Sequence, residues 1–221
     1  MHTSQVRTIL TGIAVGAAVA LGAGSAQAAT LNWDLSSPAG VLPLAGQDYT
    51  AGGITIHAAG FLDGNFSTPN LQLFGKTGGG DETGLGSNVD ATGDHELNGT
   101  QWIQIDFSAA RAMGVTNFDF VMGSTTATQP EGWRVFGSNS ATSLGSQIFA
   151  GNDELVTHTF SGMNDTFLFY NFQAQGGGTA NVLVQEVSGV VPEPATWAMM
   201  LLGFLGLGFA FRHSRRKVSF A

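Results

Sequence analysis

Between residues 54 and 185 the chain repeatedly alternates apolar and polar residues with a period of two, and this pattern narrows its possible folds more than any other feature. Ile54, Ile56 and Ala58 fall on one side of an extended segment, with Thr55 and His57 on the other. Ile103, Ile105 and Phe107 oppose Gln104 and Asp106; Phe118, Phe120 and Met122 oppose Asn117 and Asp119; Trp133 and Val135 oppose Arg134. The same holds for Val156, His158 and Phe160 against Thr157 and Thr159, and for Leu168, Tyr170 and Phe172 against Phe167 and Phe169. Val182 and Val184 against Leu183 and Gln185 complete the series. Successive side chains of a strand point to opposite faces, so this pattern predicts half-buried antiparallel strands. With short strands near Asn32, Leu71 and Ile148, roughly nine or ten are expected. Glycine contributes 32 of 221 residues, about twice its usual share, and marks frequent turns. Helical periodicity is missing from this region apart from one turn at Ala109 to Met113. The expected fold class is therefore all-β, an antiparallel two-sheet sandwich of jelly-roll-like form, with a barrel as the alternative.

Apolar segments of a different kind bracket this region. At the N-terminus, Arg7 precedes an apolar stretch from Ile9 to Ala23, and Ala26-Gln27-Ala28 follows. That order reads as a cleavable export signal over residues 1–28. At the C-terminus, residues 195–211 carry no charge and would span about 25 Å as a helix, enough to cross a bilayer at the short end of the range. Pro192-Glu193-Pro194 precedes this run, and the two prolines disfavour helix before it. Trp197 stands near its outer end, and the stop-transfer cluster Arg212, Arg215, Arg216 and Lys217 closes it, which predicts a cytoplasmic tail over residues 212–221. The resulting plan is a sandwich over residues 29–187, a linker over 188–194 and one transmembrane helix over 195–211.

The tail resembles the PEP-CTERM sorting signal of exopolysaccharide-producing Gram-negative bacteria. The residues that carry the likeness are Pro192, Glu193, Pro194, Trp197, Ala198, Met199, Met200, Leu201, the glycines Gly203, Gly206 and Gly208, and the terminal basic run. The resemblance implies export through the Sec translocon, a transient stay in the inner membrane through residues 195–211, and recognition by an exosortase at the sorting motif Pro192, Glu193, Pro194 and Trp197. It implies a destination at the cell surface or in the exopolysaccharide matrix, and no activity. The stretch Lys76 to Glu96, with the later QWIQIDFS and GWRVFGS, is also similar to the sandwich domain often found ahead of such tails.

Charge is unevenly placed. Ala29 to Val191 holds three basic and fifteen acidic residues, a formal charge of −12. Such a surface repels nucleic acid and anionic lipid and attracts divalent cations. There are no cysteines, which excludes a thiol nucleophile, thiolate metal sites and disulfides. The glycine-rich stretch from Lys76 to Glu96 reads as a long loop, and Asp81, Glu82, Asp90, Asp94 and Glu96 on it are candidate ligands for Ca²⁺, a cation that gathers six to eight oxygens. The competing reading is a solvated acidic loop. No other cofactor is expected.

Other chemistry finds little support. His57, His95 and His158 lack metal-ligand spacing. Gly78-Gly79-Gly80 is followed by no Gly-Lys-Ser/Thr, no G-x-S-x-G elbow occurs, and no opposed carboxylate pair of the glycosidase kind is visible. No catalytic residue is assigned, and the chain is expected not to be an enzyme. Trp33, Trp102, Trp133, Tyr49 and Tyr170 could stack on sugar rings. Trp102, opposite the Ile103/Ile105/Phe107 face, is the best glycan-contact candidate, with core packing as the competing reading. The function expected is an exported structural or adhesive matrix component, with a carbohydrate-binding module, with or without a pinning calcium, as the alternative and a polysaccharide hydrolase behind it.

Overall fold

The structure is a computed structural model that describes residues 28–89, 93–125, 132–175, 181–191, 201–206, 208 and 212. Thirteen strands lie among the described residues. They are β1 (Ala29–Asp34), β2 (Gly40–Val41), β3 (Gln47–Ala51), β4 (Ile54–Leu62), β5 (Leu73–Thr77), β6 (Thr83–Ser87), β7 (Gln101–Asp106), β8 (Thr116–Gly123), β9 (Gly132–Ser138), β10 (Ser146–Gly151), β11 (Thr157–Thr159), β12 (Phe169–Gln175) and β13 (Leu183–Val191). One short helix, α1 (Ser108–Ala112), fills the place where the sequence predicts a single turn.

The strands form two antiparallel sheets rather than a closed barrel. The first has seven strands in the order β11-β8-β13-β6-β5-β2, with β1 beside the C-terminal half of β13; the second has six in the order β10-β9-β12-β7-β4-β3. The chain crosses between sheets at β2 to β3, β4 to β5, β6 to β7, β7 to β8, β8 to β9 and β10 to β11, and again on either side of β12. This interleaving makes neither sheet stable alone, since each needs the other to cover its apolar face.

The inward faces are those the alternation marks. Ile56, Ala58, Ile103, Ile105, Val135, Tyr170 and Phe172 from the second sheet meet Leu73, Leu85, Phe118, Phe120, Met122, Val184 and Val187 from the first. Val184 and Val187 both point inward because β13 slips register between Val184 and Glu186, which resets the alternation. Phe120 lies near the centre, with the rings of Phe160, Trp133 and Phe172 at 5.0, 5.4 and 5.5 Å. The polar tips of Trp33, Trp133 and Tyr49 are satisfied. Trp33 Nε1 donates to the Ile54 carbonyl at 3.0 Å, Trp133 Nε1 to that of Asp153 at 2.8 Å, and the Tyr49 hydroxyl to that of Leu35 at 3.3 Å. Trp33, Trp133, Tyr49 and Tyr170 are thus core residues and not stacking platforms.

Two boundaries differ from the sequence reading. Residues 76–96 are not a continuous loop. They include the end of β5, a 3-10 turn over Gly80–Glu82 and the whole of β6. The glycines of β6 provide close packing: a Cβ on Gly86 would lie 2.0 Å from the carbonyl oxygen of His95, which crosses over that strand. The linker also begins later than expected, because β13 continues through Val191 and Ser188 to Val191 pair with Asn32 to Ala29. The export signal expected over residues 1–28 lies, apart from Ala28, outside the described residues.

Candidate functional site

The acidic stretch resolves into an internal ion cluster. Lys76 on β5 donates from Nζ to Glu82 Oε2 and, at 2.5 Å, to Glu96 Oε1. The Ser124 hydroxyl, just past β8, donates to Glu96 Oε1 at 2.7 Å and stands 3.1 Å from Glu82 Oε1. The Glu96 side chain is 6% exposed, that of Lys76 17% and that of Glu82 43%. Burial favours the neutral amine of Lys76, but the hydrogen bonds and negative charges of Glu82 and Glu96 outweigh it and hold the ammonium above its usual pKa. The hydrogen bond from Lys76 holds Glu82 below the usual carboxylate range. Glu96 stands above that range because burial outweighs its partners.

Of the five carboxylates considered for calcium, Glu82 and Glu96 are therefore gathered around a lysine. Asp81 is half-buried in the 3-10 turn, Asp94 is exposed, and Asp90 lies outside the described residues. No group of three or more His, Cys, Asp or Glu among the described residues is placed to hold a metal ion. The three histidines are spread apart in role as well. His57 Nδ1 lies 2.7 Å from Asp48 Oδ1, His95 stacks on Phe74 at 3.7 Å, and His158 stacks on Phe120 at 5.1 Å.

A second buried network joins α1 to the turn over Gly162–Asp165. Arg111 donates to the Phe167 carbonyl at 2.6 Å, to Asp165 Oδ1 at 3.1 Å and to the Tyr170 hydroxyl at 2.7 Å, and that hydroxyl donates to the Asn164 carbonyl at 2.8 Å. Burial pushes the Tyr170 phenol up to about 12.

Trp102 stands on the outer face of the second sheet, the side its parity on β7 indicates, but it is only 5% exposed. The segment between β4 and β5 folds over it. The Phe66 ring packs on Trp102 at 5.8 Å, Phe136 does so at 5.4 Å from β9, and the Arg134 guanidinium lies 5.8 Å from the indole. With Ala59 and Phe61 these residues make a small second core. This burial takes the indole away from the ligand contact proposed for it in the sequence reading.

Beside that core the same face holds a cleft of about 240 Å³. The segment carrying Phe66, Ser67 and Pro69 walls one side and Ala141 and Thr142 the other, while Gln104 and Asp106 of β7, with His57 and Phe169, line the rest. The 141–144 wall is tied down by buried amides. Gln104 Nε2 donates to the Ala141 carbonyl at 3.0 Å and to Asn171 Oδ1 at 2.9 Å, and Asn171 Nδ2 donates to the Leu144 carbonyl at 2.9 Å. The cleft was not legible in the sequence, because its walls come from three segments far apart in the chain.

The described residues thus define a two-sheet antiparallel β protein whose last strand, β13, ends at the threshold of an apolar, basic-capped tail. That tail gives the chain its sorting class: residues 190–217 match the family model of the PEP-CTERM protein-sorting motif. The motif marks an exported protein and implies an exosortase as its processing partner. No curated protein and no solved structure matches the chain. Pro192, Glu193, Pro194, Trp197, Arg215, Arg216 and Lys217 fall within the matched span and outside the described residues. Arg212 is helical and exposed, and residues 201–206 form a helical segment with Leu201, Leu202, Phe204 and Leu205 each more than half exposed. No helix among the described residues is long and apolar enough to cross a membrane.

Proposed function

We propose that this protein is a structural or adhesive component of an exopolysaccharide matrix, delivered there by export, a brief inner-membrane stage and exosortase processing near Pro192-Glu193-Pro194. The observation that carries this reading is the sorting-motif match over residues 190–217. The exposed apolar side chains of residues 201–206 support a lipid-facing tail, and the −12 charge of the region between the terminal segments suits a soluble body outside the cell. The repeated crossing between sheets supports the jelly-roll-like reading of the fold. No catalytic role is assigned to any residue.

Cell fractionation tests the sorting. Replacing Pro192, Glu193 and Pro194 together by alanine strands the protein in the inner membrane, while the unaltered protein reaches the matrix. Equal release of both removes the proposal.

A second reading, a carbohydrate-binding module, is favoured by one feature: the outer-face cleft combines aromatic, amide and carboxylate side chains. It predicts retention of the released protein on the producer's own polysaccharide, and passage through that polysaccharide unretarded would dismiss it.

A further inference from the structure

Pyranose rings offer two surfaces to a protein, an apolar patch of C–H groups and a rim of hydroxyls. A site for one needs an aromatic face beside carboxylate or amide groups that can take those hydroxyls, in a concavity about the size of the ring. The outer-face cleft has this combination. One cross-strand row of the second sheet places His57, Asp106 and Phe169 side by side, since His57 pairs with Asp106 and Asp106 with Phe169. All three are half-buried and line the cleft. Among the described residues only Oδ1 of Asp106 is engaged, by the Ser108 amide at 2.7 Å. This bond holds the carboxylate in place and leaves Oδ2 able to accept from a hydroxyl.

Size and charge narrow the ligand. At about 240 Å³ the cleft lies below the roughly 300 Å³ floor of sites for drug-sized ligands, which suits one ring of a longer chain whose neighbours extend into solvent. Asp48 lies further along the same row, paired with His57, which stands between it and Asp106. With the strongly negative domain around it, this disfavours uronates and sulfated sugars.

We infer that the cleft between the segment carrying Phe66, Ser67 and Pro69 and that carrying Ala141 and Thr142 is a subsite for one neutral hexose of a polysaccharide, with Phe169 as the stacking ring and Asp106 as the hydroxyl acceptor. The inference rests on the carbohydrate-binding reading and moves the contact away from Trp102, which does not line the cleft.

The test titrates the full-length chain, held in a zwitterionic detergent without a sugar headgroup, with cellohexaose, laminarihexaose and the producer's purified exopolysaccharide, and reads binding by calorimetry. Phe169→Ala and Asp106→Asn each weaken binding at least about tenfold. Thr142→Arg, at the exposed rim, abolishes it by filling the cleft and pairing with Asp106. A melting curve on each variant shows that the sandwich is intact, and Thr142→Arg keeps the test open if an inner variant fails to fold. Binding that survives Thr142→Arg and Phe169→Ala overturns the site while leaving the carbohydrate-binding reading in place. No binding to any of the three probes by the unaltered chain overturns both.

Discussion

Replacing Lys76 by methionine isolates the energetics of the ion cluster. Methionine fills much of the same volume but leaves Glu96 without its cation. Removing one partner of a buried ion pair costs about 3–5 kcal/mol, because the remaining charge stays in a poorly solvated place. Only Glu96, 6% exposed, belongs fully in that class. Glu82 is 43% exposed and rehydrates readily, so its share is that of a surface pair, about 0–1 kcal/mol. The expected loss is therefore near the lower bound, about 3 kcal/mol, or a fall in Tm of about 6–12 °C for a domain of this size.

The pH dependence carries the sharper signature. Glu82 lies below its usual pKa through Lys76, so it adds stability above the unfolded value that fades as pH falls through its folded pKa. Glu96 lies above, so its contribution has the opposite sign: the fold favours its protonated form, and that advantage disappears as pH rises through its folded pKa. Loss of Lys76 removes the hold on Glu82 and pushes Glu96 higher still. The gap between variant and parent should then narrow as pH falls from neutral toward 5. Adding Glu96→Gln should restore most of the lost stability. Urea denaturation of parent, single and double variants at several pH values reads all of this. A single-variant loss under about 1 kcal/mol, a gap indifferent to pH, or further destabilisation by Glu96→Gln refutes the assignment.

Three further outcomes follow from the same structure. Because the Tyr170 phenol is raised to about 12 while the unfolded chain ionises near pH 10, its contribution is undiminished below pH 10 and falls by about 1.4 kcal/mol per pH unit from there to its folded pKa; Tyr170→Phe should lessen the alkaline fall of a urea-midpoint profile, the remainder belonging to the Tyr49 phenol that burial also raises, and an unchanged limb would contradict the buried phenol. Trp102→Ala should cost about 3–5 kcal/mol in urea denaturation through the cavity it opens in the second core, whereas Trp102→Phe should keep any polysaccharide retention; lost retention with intact stability would return Trp102 to the ligand site. Chelation by EDTA should leave the melting midpoint unchanged, since Lys76 already supplies the cation between Glu82 and Glu96; a drop reversed by added Ca²⁺ would place a metal on the acidic segment.

What the sequence revealed and what it hid have separate physical causes. Strands such as β8 and the first half of β4 alternate cleanly because one face meets the core and the other is only partly covered, so they are legible one residue at a time; β7 keeps the same polarity pattern although its outer face is buried too. β3 is not, because Tyr49 is its only buried side chain. β6 reads as a loop because its glycines suggest turns, and the backbone that crowds them, the His95 carbonyl over Gly86 and Val184 and Gln185 beside Gly84, comes from other segments. Parity on β7 assigns Trp102 to the outer face, but its burial depends on a lid whose only signal is Phe66, a lone aromatic in the polar stretch Asp63 to Asn70. The ion cluster was half legible: the carboxylates of Glu82 and Glu96 stood out, while the residue that neutralises them, Lys76, sits at the edge of the same stretch and reads as an ordinary surface charge. The sorting tail was the most legible part because its meaning lies in linear order, with no long-range packing involved.

If the tail is an address removed on delivery, the intact mass of the protein recovered from the extracellular matrix, set against that of the precursor, shows the cut. The matrix product should start near Ala29, end close to Pro192-Glu193-Pro194 and lack the apolar run with its basic end. A matrix form that still carries Trp197 to Ala221 would contradict it.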